Sequence, residues 1–141
     1  MRAFTPALFL VALAALVVTA VALGSGAGAA HGTRIQVKLK EMSVIPALKS
    51  TKAGDVTFVI SNVGTVDHEF VVQRHDTVGL LPVKNFKAVE DDALHVDEVE
   101  DIVPGAAPRN LSVQLKKGRY ILFCNVPGHY QLGMSIAFRV T

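Results

Sequence analysis

The chain has one cysteine, no tryptophan, two tyrosines and no long block of charge of one sign. A lone cysteine excludes an internal disulfide framework and any binuclear centre that needs two thiolates. It leaves a buried core thiol, a reactive group or a metal ligand. Of the fourteen Lys and Arg, Arg2 lies in the leader described below, so thirteen face twelve Asp and Glu in the body. A net charge near zero with no basic patch excludes nucleic acid as a partner. No sustained helical period and no internal repeat is visible, which argues against a bundle or a solenoid.

A long apolar run occurs once. Met1 and Arg2 form a short positive region, Ala7 to Leu23 is uncharged and rich in Ala, Leu and Val, and Ala27-Gly28-Ala29 offers a small-residue cleavage site. This is the layout of a secretory signal. The run exceeds the usual apolar region of about 7 to 15 residues and reaches the lower limit, roughly 17, for a membrane-spanning helix. Residues 1–30 are therefore read as a signal peptide or, if uncleaved, an N-terminal membrane anchor. About 110 residues remain, enough for one core and too few for two. A single domain over residues 31–141 is expected, periplasmic or extracellular, membrane-tethered only through an uncleaved leader.

Thr33 to Lys40 alternates Ile35, Val37 and Leu39 against polar residues, the period of a half-buried strand. A short apolar piece follows at Met42 to Ile45. After a turn at Lys52 to Asp55, alternation resumes at Val56, Phe58 and Ile60, and His68 opens a further β-type run through Val72. From Asp76 to Arg109 the pattern weakens; one short helix near Lys84 to Ala88 and an edge strand near Val96 to Ile102 are expected. Leu111, Val113 and Leu115 alternate again. Tyr120 to Cys124 is apolar on both faces, as a central strand is, and Met134, Ile136, Phe138 and Val140 share one face of the last strand. Seven to eight short strands point to an all-β sandwich.

Cys124 ends one strand, His129 follows the Pro127-Gly128 turn, and Met134 begins the next strand. Three potential ligands thus bracket one loop. Thiolate, imidazole and thioether form a soft donor set that suits copper, and a second imidazole, for which His68 is the candidate, would complete a His2Cys plane with an axial Met. Each residue alone has an ordinary alternative: Cys and Met pack cores, and a strand histidine is often simply hydrogen-bonded. The joint arrangement favours a metal site.

Asn62 to Phe70, N-V-G-T-V-D-H-E-F, and Tyr120 to Met134, Y-I-L-F-C-N-V-P-G-H-Y-Q-L-G-M, resemble the cupredoxins, the type 1 blue copper family. The C-x4-H-x4-M spacing is most similar to the rusticyanin and sulfocyanin branch. The resemblance extends from about Thr33 to Thr141. It implies a Greek-key sandwich and one type 1 copper with His68, Cys124, His129 and Met134 as ligands. It also implies electron transfer through His129 to a redox partner such as a cytochrome or an oxidase, by a monomer. Val126, Pro127, Tyr130 and Leu132 would form an apolar patch there. The Val126 N–H faces the thiolate and Pro127 has no N–H to give, so a sulfur environment poor in hydrogen bonds is expected. Two departures stand out. Glu69 replaces the Asn that azurin-like members often carry after the first histidine. Glu also ligates copper in the red-copper relative nitrosocyanin, but neighbouring strand side chains point to opposite faces, which argues against Glu69 joining His68 on one ion.

His31, His75 and His95 have no comparable support. His31 would chelate copper only as a mature N-terminus, and a disordered terminal residue is expected instead. A Cys124–His129 hydrolase would lack an orienting carboxylate and an oxyanion motif and would leave Met134 without a role; no enzyme is expected. The alternative function is copper binding and delivery without redox cycling, which usually relies on Met-rich or His-rich exposed tracts that this chain lacks.

Overall fold

The computed structural model describes residues 32–77 and 79–141; the leader 1–30 and His31 lie outside the described residues. Among the described residues there are eleven strands: β1 (Thr33–Lys40), β2 (Ser43–Pro46), β3 (Ser50–Thr51), β4 (Gly54–Asn62), β5 (His68–Arg74), β6 (Val83–Lys84), β7 (Lys87–Ala88), β8 (His95–Ile102), β9 (Arg109–Leu115), β10 (Gly118–Phe123) and β11 (Ser135–Val140). Eight are four residues or longer, as expected, and β3, β6 and β7 are two-residue pieces. Among the same residues no helix is long and apolar enough to cross a membrane.

The strands form a four-stranded sheet in the order β2-β1-β4-β9 and a five-stranded sheet in the order β3-β11-β10-β5-β8. The chain changes sheet between β2 and β3, β3 and β4, β4 and β5, β8 and β9, and β9 and β10, the repeated crossing of a Greek-key sandwich. In the first sheet β1 runs parallel to β4 with Ile35 beside Phe58 and Val37 beside Ile60, so both apolar sets face inward together. From the other sheet Phe70, Val72, Tyr120, Leu122 and Phe138 close the core. Phe58 meets Phe70 and Phe138 at ring-centroid distances of 5.3 and 5.7 Å in tilted and edge-on contacts, the geometries that aromatic quadrupoles favour.

β10 is buried on both faces. Tyr120 and Leu122 point into the main core, while Ile121 and Phe123 join Val71, Leu81, Ala88 and Tyr130 in a second cluster. The excursion from His75 to Leu94 covers this second face. The helix expected near Lys84 to Ala88 is instead the β6–β7 hairpin, whose turn residues Asn85 and Phe86 have φ of 52° and 63°. Two consecutive positive φ angles define a type I′ turn, and Asn in the first position suits it. The pair is too short for its alternation to be seen in the sequence. The edge strand expected near Val96 is β8, at the rim of the five-stranded sheet.

Phe58→Ala removes the ring shared by both sheets and should cost about 3–5 kcal/mol. Urea denaturation at neutral pH measures it; a loss below about 1 kcal/mol would mean that the aromatic trio does not organise the core.

Candidate metal centre

His68 is the first residue of β5, and the loop before it is fixed by one buried side chain. Asn62 donates from Nδ2 to the carbonyls of Val66 (2.8 Å) and Ile102 (2.7 Å), and its Oδ1 accepts the Gly64 N–H at 2.9 Å. The β5–β8 register slips between His68 and Phe70. Such a bulge re-aims a side chain next to a functional site, and here His68 is fully buried at the end of the sandwich.

The segment from Cys124 to Met134 folds back on itself. Cys124 N–H donates to the Met134 carbonyl at 3.0 Å, Met134 N–H to the His129 carbonyl at 3.1 Å, and His129 N–H to the Val126 carbonyl at 3.0 Å. Gly128 and Gly133 have φ of 88° and 96°, which non-glycine residues adopt at a cost. Asn125 anchors the loop from outside: its side chain accepts the Ala88 N–H at 2.7 Å and donates to the Ala88 carbonyl and to Glu90. Its residue type carries no signal of this role; the buried partner lies across the β6–β7 hairpin.

These two constructions bring three donors together. Cys124 Sγ lies 3.8 Å from His68 Nδ1 and 3.4 Å from His129 Nδ1, and the two Nδ1 atoms are 3.3 Å apart. Three ligands in a plane around one ion, with metal–nitrogen bonds of about 2.0–2.1 Å and metal–sulfur bonds of about 2.3 Å, would be separated by roughly 3.5–3.8 Å. One observed edge, 3.8 Å, meets that spacing, and the other two, 3.3 and 3.4 Å, are slightly shorter, so a small outward shift of the donors would seat one ion. Met134 is fully buried in the same core cluster as Cys124, and a donor set of thiolate, two imidazoles and a thioether suits copper.

Protonation suits it as well. Burial, with the neighbouring His129 second, pushes His68 below the ordinary histidine value, so the imidazole is neutral and free to ligate. Burial raises the Cys124 thiol, while the backbone N–H groups of Glu69 and Val126 oppose that rise; the Glu69 N–H lies 3.3 Å from Sγ. The backbone hydrogen bond to the sulfur thus comes from Glu69, a donor the sequence did not single out, because the bulge beside it turns that N–H toward the thiol.

No family model and no curated protein matches the chain. Solved structures do. The reduced auracyanin of Roseiflexus castenholzii superposes with a TM-score of 0.58 at 18% identity, over 78% of this chain and 98% of that one. Auracyanin A of Chloroflexus aurantiacus, described as a "blue" copper protein, gives 0.54 at 19% identity over 77% of this chain and 99% of its own. Reduced rusticyanin gives 0.52 at 22% identity over 78% and 81%. The chain has the cupredoxin fold.

Within this cupredoxin fold the remaining expected residues separate cleanly. Tyr130 does not line the surface: it is buried against Phe123, with its hydroxyl accepting the Leu81 N–H at 2.7 Å. Val126 is partly buried against the core, and the exposed apolar side chains around the loop are Pro127, Leu132, 67% exposed, and Phe86, 69% exposed, whose carbonyl accepts the Gly128 N–H at 2.7 Å. Sequence reasoning missed Phe86 because its hairpin was not recognised. His75 binds the Gly79 carbonyl at 2.9 Å, and His95 pairs with Glu90 at 3.2 Å. Neither approaches the donor triangle.

The Glu69 carboxylate also points away from that triangle, toward Glu98 and Glu100 on β8. Burial raises it from 4.5 to about 7; Lys87 opposes the rise, and Glu98, Glu90 and Glu100 reinforce it. A carboxyl that keeps its proton longer when folded contributes stability below about pH 4.5 and loses it as pH rises toward 7. In the copper-free protein, the stability of wild type relative to Glu69→Gln should therefore fall by up to about 3 kcal/mol between pH 4.5 and 8. Urea midpoints across that range measure it, and parallel profiles would contradict the buried-carboxyl account.

Proposed function

We propose that this protein is an extracytoplasmic electron carrier that cycles one type 1 copper between Cu(I) and Cu(II). The residues that would hold the ion are His68 through Nδ1, Cys124 through Sγ and His129 through Nδ1, with the Met134 thioether as a further soft donor. The observation that carries the proposal is the triangle of three donors, each within 3.8 Å of the others, on two independently braced loops. When bound, copper supplies a one-electron couple with a soft, covalent thiolate ligand.

The chain supplies the rest. Asn62 and the Cys124–Met134 hydrogen bonds hold the donors in one arrangement, so little nuclear movement accompanies a change of charge. Burial of His68, Cys124 and Met134 keeps water from the sulfur ligands. His129 is only partly buried and gives the site its edge at the surface. Pro127, Leu132 and Phe86 present apolar area around that edge, suited to brief docking of a redox protein such as a cytochrome. The buried, braced donors favour cycling over copper delivery, which needs ligands that can exchange. The apolar run Ala7 to Leu23 is consistent with export or tethering outside the cytoplasm.

A visible spectrum after adding Cu(II) tests the proposal: an intense blue band, bleached by ascorbate and absent in Cys124→Ala, is expected. A colourless protein, or a band that survives loss of the thiol, would refute it. Stopped-flow oxidation by a cytochrome tests the docking edge. Leu132→Asp and Phe86→Asp should each slow exchange severalfold with the band intact; unchanged rates would remove this patch from the path.

A further inference from the structure

His68 Nε2 is the one buried side-chain nitrogen or oxygen among the described residues that has no hydrogen-bond partner. Its ring is fully buried and its other nitrogen, Nδ1, faces Cys124 and His129. A neutral imidazole carries one N–H, so if Nδ1 gives its lone pair to a metal, the proton sits on Nε2 and needs an acceptor. The Glu41 carboxylate is 4.0 Å away.

Glu41 lies in the turn between β1 and β2, and the loop that delivers His68 is built around it. Its Oε1 accepts the N–H groups of Thr65 and, at 3.0 Å, Val66, and the Thr65 hydroxyl at 3.1 Å. Gly64 makes room for it: a Cβ there would lie 2.5 Å from Oε1 and 2.8 Å from Cδ. Asn62 in turn fixes Gly64 and Val66. The Thr65 N–H first, with further hydrogen bonds, keeps the Glu41 carboxyl well below the ordinary carboxylate range, so it is charged at neutral pH.

We propose that Glu41 is a positioning residue for the metal centre: its carboxylate accepts the His68 Nε2–H, leaving Nδ1 free to ligate, and its charge lowers the reduction potential. The step that completes the contact is a closure of about 1 Å, to the usual N–H···O separation near 2.9 Å. Metal-bound histidines commonly donate their second N–H to such a partner, which fixes tautomer and ring orientation. The proposal rests on the copper reading above. It goes beyond that reading by assigning a residue outside both ligand loops. Asp67 is the natural control, an exposed carboxylate next to His68 in sequence that lacks the cradle.

The test is the midpoint potential of the copper-loaded full chain and of its Glu41→Gln, Gly64→Ala and Asp67→Asn variants. The first removes the charge but keeps an acceptor for the loop N–H groups; the second keeps the charge but displaces it. Both should shift the equilibrium about tenfold toward Cu(I), about 59 mV for a one-electron couple, with the blue band retained, and Asp67→Asn should shift it much less. In the diamagnetic Cu(I) form, the His68 Nε2–H should exchange slowly in wild type and fast in Gly64→Ala, where the acceptor is displaced, with Glu41→Gln, which keeps a neutral acceptor, in between. A retained band with wild-type potential and unchanged exchange would overturn the role of Glu41 alone. Equal shifts in Asp67→Asn and Glu41→Gln would reduce it to bulk charge and overturn it likewise. A wild-type protein with no intense band would instead refute the copper centre, and this proposal with it.

Discussion

Two imidazoles and a thiol are packed at the buried end of a β-sandwich so closely that their donor atoms form a triangle 3.3–3.8 Å on a side. Polar groups crowded this way in a core are costly unless each finds a partner or a shared ion. Most of the local architecture is arranged around that constraint. The bulge in β5 turns His68 inward and the Glu69 N–H onto the sulfur. Asn62 and Asn125 each tie a ligand segment to a distant carbonyl. The donors are thereby fixed from behind by hydrogen bonds, and no single loop has to hold its own shape.

The sandwich supplies rigidity and the excursion supplies the surface. Because β10 is covered on both faces, Cys124 emerges from the most constrained strand of the molecule. The His75–Leu94 excursion that covers the second face also delivers Phe86 to the side of the His129 loop through the Gly128 hydrogen bond. Phe86 adopts a left-handed conformation, φ 63°, that is unusual for a bulky side chain. A strained, exposed aromatic whose backbone is bonded to the His129 loop is the kind of feature that persists where the surface has a use.

Much of this was legible in the sequence because the strands that carry the core alternate strictly and the ligand loop is short. Ile35, Val37 and Leu39, or Met134 through Val140, state their buried face in their spacing, and C-x4-H-x4-M confines three donors to one loop without any knowledge of the fold. The distant donor, His68, was reachable only through the chemistry of the set. What stayed hidden depends on contacts far apart in the chain. The β6–β7 hairpin has two-residue strands with no period to detect, so Phe86 was missed and Tyr130 was placed at a surface it does not reach. Glu41, Asn62 and Asn125 are ordinary polar residues in sequence; their partners Thr65, Ile102 and Ala88 lie 24, 40 and 37 positions away.

The most direct measurement is a crystal structure of the copper-loaded protein with anomalous diffraction collected at the copper edge. The account predicts one strong peak bonded to His68 Nδ1, Cys124 Sγ and His129 Nδ1, with the Met134 sulfur on the axis. A peak elsewhere, for example among Glu90, His95 and Glu98, with the Cys124 triangle unoccupied, would contradict it.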